Sequence, residues 1–132
     1  MKTLRQIQAI PVSGVEVILE GTLTRLFFDF ADPEPRAEEE CPSDIKVCES
    51  IDVEGQSRDA MISAIINDRY NNNSYQAISA NYELAKDPES QITPEKRAEY
   101  LAEHAAFQEW RAHAKVISGI ARNIIESIPA AE

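Results

Sequence analysis

From Phe107 to Ile128 the apolar residues return at alternating steps of three and four: Phe107, Trp110, Ala114, Ile117, Ala121, Ile124 and Ile128. That spacing puts them on one side of a helix, in the a/d pattern of helices that pack against one another. Ile120 and Ile125 widen the stripe. Thr93 followed by Pro94 makes a good start for this helix, a hydroxyl cap and then proline at the first helical position, and Pro129 lies just beyond its end. A helix from Pro94 to about Ser127 would be roughly 50 Å long at 1.5 Å per residue, with Gly119 as its one weak or bent point.

Two shorter helices are expected before it. Ser57 can cap the first, Arg58 to about Tyr70, in which Met61, Ile62, Ile65 and Ile66 share a face. The Asn71–Asn73 triplet ends it, because asparagine accepts turn conformations that other residues resist. Asn73 or Ser74 then caps a second helix in which Tyr75, Ile78, Tyr82 and Ala85 recur at steps of three and four. The pair reads as a helical hairpin.

Ahead of Ser57 the period is that of strands. LRQIQAI, VEVIL and TLTRLFFDF are rich in Val, Ile, Leu, Thr and Phe with partial alternation, and IKVCESIDVEG returns to it with Ile45, Val47, Ile51 and Val53 facing one way. Glu20 and Gly21 form a hairpin turn between the second and third runs, and Pro11 and Gly14 punctuate the chain before Val15. Residues 31–44, ADPEPRAEEECPSD, have three prolines and a run of acids with little to bury, which reads as a solvated loop. The expected fold class is therefore α+β: an N-terminal antiparallel sheet of three to five strands, then a helical hairpin and a long C-terminal helix. Residues 1–132 read as a single domain, β-rich over 1–56 and helical over 57–132.

What the long stripe presses against has two answers. The sheet and the two shorter helices can cover it inside one subunit. Alternatively, two helices of about 20 Å each cover only part of a 50 Å stripe, and the remainder binds a partner. On the second answer the partner-binding residues are Phe107, Trp110, Arg111, Ala114, Ile117, Ala121, Ile124 and Ile128. Trp110 beside Arg111 is a composition common at interface hot spots and equally at the edge of a core.

Composition narrows the choice of partner. The 132 residues carry a formal charge of −10, with 5 basic and 12 acidic side chains in residues 1–56 and 8 and 11 in the rest. Neither half has the cluster of Lys and Arg that displaces counterions from phosphates, so no nucleic-acid partner is expected. The first fourteen residues have no continuous apolar core of the kind a signal peptide needs, and no apolar run approaches the roughly 20 residues of a membrane span. A cytoplasmic protein is expected.

Candidate chemistry is sparse. His104 and His113 are nine apart, on opposite sides of one helix, and cannot share a metal there. Cys41 and Cys48 have six residues between them, unlike a zinc knuckle, and read as a loop thiol and a core thiol, or as one bridge. Asp29, Asp32, Glu34, Glu38, Glu39 and Glu40 match no calcium-loop spacing. The four glycines are too scattered to cradle a phosphate. No catalytic residue, metal or cofactor is expected, and an enzyme would need a pocket with polar groups converging from distant parts of the chain.

Residues 59–115, from DAMISAIINDRYNNNSYQAISANYELA through EYLAEHAAFQEWRAHAK, resemble small proteins encoded by bacteriophages and prophages, including tail-fibre accessory proteins. Tyr75, Ala77, Ile78, Asn81, Tyr82, Phe107, Trp110, Arg111 and Lys115 carry the likeness. The resemblance implies a non-enzymatic role in virion structure or assembly, in the bacterial host's cytoplasm or in the virion, through protein partners that include the chain itself. The alternative expectation is an acidic inhibitor or decoy that imitates nucleic acid through the charge between Asp29 and Glu54.

Overall fold

The structure, a computed structural model, describes residues 1–7, 9–33 and 45–128. Most of the acidic loop, including Cys41, lies outside the described residues. Among the described residues four strands come first: β1 (Lys2–Gln6), β2 (Val15–Glu20), β3 (Leu23–Ala31) and β4 (Ile45–Glu54). Three helices follow, α1 (Arg58–Arg69), α2 (Asn72–Lys86) and α3 (Pro94–Ser127). The fold is α+β.

The strands form one antiparallel sheet in the order β1-β4-β3-β2, a Greek-key arrangement in which the first strand lies beside the last. Gly21 has φ +60°, and Glu20 faces Leu23 in register, so Gly21 and Thr22 alone make the turn. Glycine at the first of two central positions fits a type II′ hairpin, whose twist suits the strands. The β3–β4 register slips between Phe28 and Ala31, and Asp29 within that bulge has φ +56°. Aspartate tolerates this left-handed conformation better than most residues, and the bulge aims it at α3.

One face of the sheet is covered by α1 and α3. Val15, Leu26, Phe28, Ile51 and Val53 from the strands meet Met61 and Ile65 of α1 and Trp110, Ala114, Ile117 and Ala121 of α3. On the opposite face Arg5 of β1 pairs with Glu16 of β2 and lies 4.2 Å from the centre of the Phe27 ring. Cys48 alternates onto that face, a free and buried thiol whose pKa burial pushes up.

Each helix starts where a side chain can satisfy its free N–H groups. Ser57 accepts from the Ala60 amide and Thr93 from the Lys96 amide. The second cap is Asn71, which accepts from the Ser74 amide, rather than Asn73 or Ser74, so α2 begins earlier than its apolar spacing suggests. α3 is continuous through Gly119, where an added Cβ would lie 3.8 Å from Arg58 Nε. Among the described residues no helix is long and apolar enough to cross a membrane.

Trp110 joins the layers. Its indole Nε1 donates to the Ile65 carbonyl of α1 at 2.9 Å, and its ring lies 6.2 Å from that of Phe28. Replacing Trp110 with Ala should cost about 3–5 kcal/mol in urea unfolding, as a large aromatic is removed from a packed site. Trp110→Phe should cost less, about 1–2 kcal/mol, because it mainly loses the hydrogen bond.

Candidate functional site

The eight residues of the expected docking stripe do not form an open surface. Phe107, Trp110, Ala114, Ile117 and Ala121 are buried, Ile124 packs against the core, Arg111 is half-buried, and only Ile128 is exposed. The physical reason is the sheet: its inner face and α1 together cover the C-terminal half of α3, a contribution that helix length alone leaves out. The remaining part of α3 has a different neighbour.

That neighbour is α2, which packs on α3 and has no comparable contact with the sheet. The two helices form an arm whose interface is aromatic. Tyr70 and Tyr75 lie 5.0 and 5.3 Å from the Phe107 ring, and Tyr82 stacks on His104 at 3.6 Å with the rings 6° from parallel. Near its tip, Arg97 of α3 donates to the Ala85 and Asp87 carbonyls at 2.5 and 3.1 Å, holding the end of α2. Tyr75, Leu84 and Leu101 are each more than two-fifths exposed on the arm.

Where the arm leaves the body, the charged groups are organised. Glu49 of β4 is 3% exposed, and Arg69 at the end of α1 donates to it at 2.9 Å. The Arg69 guanidinium lies 3.5 Å from the centre of the Trp110 ring, so a cation–π contact fixes it from the other side. The Met1 amino group lies 3.1 Å from Glu49 and 2.6 Å from Asp68. Burial by itself would raise the Glu49 pKa, but hydrogen bonds and charge from Arg69 and the amino group outweigh it and hold the carboxyl below its usual range.

A groove of about 410 Å³ opens beside this cluster. Arg69, Tyr70 and Ser74 line it from the α1–α2 junction, Ala77 and Ile78 from α2, and Glu103 and Ala106 from α3. A second hollow of about 430 Å³ lies between β4 and α1 beside Met1 and Asp68. Those two groups already neutralise each other. In the arm-base groove the Tyr70 and Ser74 hydroxyls and the Glu103 carboxylate make no hydrogen bond among the described residues.

His104 and His113 point to opposite sides of α3, as their spacing predicts. His104 faces α2, whereas His113 donates from Nε2 to Asp29 in the β3 bulge, at 2.8 and 3.0 Å to its two oxygens. The two histidines therefore contact different layers, His104 the arm and His113 the sheet. Arg69, Glu49, Glu103 and the Asp29–His113 pair are absent from the residues expected from sequence. A signal existed for two of them: Arg69 continues the Met61–Ile65 series one turn on, and Glu49 continues the inward alternation of Val47 and Ile51. A charged residue at an inward position of each element announces a buried pair.

No family model, no curated protein and no solved structure matches this chain.

The Glu49–Arg69 pair gives an acid-linked component of stability. Because the folded state lowers the Glu49 pKa below its ordinary 4.5, the stabilisation is complete above that value and is lost as pH falls through the folded one. Urea unfolding from pH 6 down to about pH 3 should therefore show a decline that is shallower in Glu49→Gln. At neutral pH that variant should be less stable by about 2 kcal/mol, under the full cost of breaking a buried pair because Arg69 is partly hydrated.

Proposed function

We propose that the protein is a non-enzymatic structural or assembly protein that works by protein–protein binding through the arm of α2 and the N-terminal part of α3. In line with the resemblance of residues 59–115, we propose a phage or prophage setting, in the virion or in the host cytoplasm where it is assembled. The observation that carries the reading is the arm's construction. Fifteen residues of α2 include a single buried residue, Ala85, and the arm carries Tyr75, Leu84 and Leu101, each more than two-fifths exposed. Helices stabilised mainly by one neighbour and bearing apolar side chains on their flanks gain from a further protein surface.

The first partner to test is a second copy. Light scattering after gel filtration, over a concentration series, should give a multiple of 14.8 kDa. Leu84→Asp combined with Leu101→Asp should return the mass to that of the monomer while leaving the unfolding midpoint of the core nearly unchanged. A monomer at every concentration, or an oligomer indifferent to both substitutions, would contradict self-association through the arm.

A further inference from the structure

We propose that the groove at the base of the arm binds a small zwitterion with an apolar side chain, an apolar α-amino acid or a short peptide of such residues, its carboxylate on Arg69 and its ammonium on Glu103. The inference goes beyond the arm's role in association and does not depend on it. It rests on what the lining groups still lack. Arg69 uses Nη2 for Glu49, while its Nε and Nη1 donate to nothing among the described residues. The Tyr70 and Ser74 hydroxyls and the half-buried Glu103 carboxylate likewise make no hydrogen bond there, and Arg69 and Glu103 form no ion pair with each other.

The groove thus presents one cation and one anion, separated, over a floor of Ile78 and Ala106. An anion alone would leave Glu103 facing it unpaired. A simple amine would meet Arg69. A molecule carrying both charges satisfies both groups, and the two hydroxyls can donate to its carboxylate or accept from its ammonium. Arg69 is set in advance, held between the Trp110 ring and Glu49, so binding does not have to order that long side chain. A volume of about 410 Å³ lies within the usual range for small-ligand sites and suits one or two small residues.

The site also joins the body to the arm. Arg69 ends α1 and Tyr70 caps it, while Glu103 and Ala106 belong to α3 and Ile78 to α2. A bound zwitterion would tie the three helices at their junction.

The test is a titration of the intact chain with leucine, followed by amide nitrogen–proton correlation spectra, beside two probes that each lack one charge, leucinamide and 4-methylpentanoate. Leucine should shift the resonances of Tyr70, Ser74, Ile78 and Ala106 and saturate at millimolar concentration or below. Each single-charge probe should bind at least about tenfold more weakly. Glu103→Gln should weaken leucine by about tenfold or more yet leave 4-methylpentanoate unchanged, a split that general loss of structure would not produce. Leucyl-leucine should occupy the same residues if a peptide is the better fit, and its tighter binding would assign that source. No shift at these residues with about 50 mM leucine, equal binding of all three probes, or full leucine binding by Glu103→Gln would overturn the proposal.

Discussion

The Trp110 ring is the contact on which the rest of the molecule depends. One edge gives its N–H to the Ile65 carbonyl, one side meets Phe28 of the sheet, and a face carries the Arg69 guanidinium. Through Arg69 it reaches Glu49, a buried carboxylate that stands between Lys2 of β1 and Phe28 of β3 in the register of the sheet. A buried carboxylate is tolerable only when paired and hydrogen-bonded. The charge on β4, the end of α1 and the middle of α3 are thereby fixed to one another by a single aromatic side chain.

This junction divides α3 into two parts with different physics. From Trp110 onward the helix is a core element, with Ala114, Ser118 and Ala121 fully buried. Small residues on that face let the sheet and α1 approach closely, and Arg58 of α1 lies beside Gly119 and donates to the Lys115 carbonyl at 3.2 Å. Before Trp110 the helix has α2 as its main neighbour, and the interface is built from a few rings rather than a layer of aliphatics. The first part is held by many mutual contacts and the second by few, so the arm is the natural place for a partner or ligand to add stability.

Much of the architecture was legible because periodicity dominates it. The limits of α1 and α3, their serine and threonine caps and the strand character of residues 15–30 and 45–54 all follow from local pattern. The cover over the α3 stripe did not, since it depends on how a sheet from the first half of the chain folds back, which spacing within one helix does not contain. Local spacing does not single out Asn71 as a cap, because the apolar residues of α2 begin later, at Tyr75. The groove was invisible for a related reason: Arg69, Ser74 and Glu103 are ordinary helix or cap residues until three helices meet. Arg69 and Glu49 were the exception, each a charge on an otherwise apolar face whose partner could have been sought in the other.

The central claim, that one continuous helix is half core and half arm, is tested most directly by native-state hydrogen exchange of the isolated protein at low concentration. Amides from Ala114 to Ala121 should exchange only through global unfolding, while those of α2 and of α3 from Ala98 to Glu103 should exchange through a smaller opening that leaves the core intact. Equal protection along the whole of α3 would contradict the account, because it would mean that the arm is secured as firmly as the core.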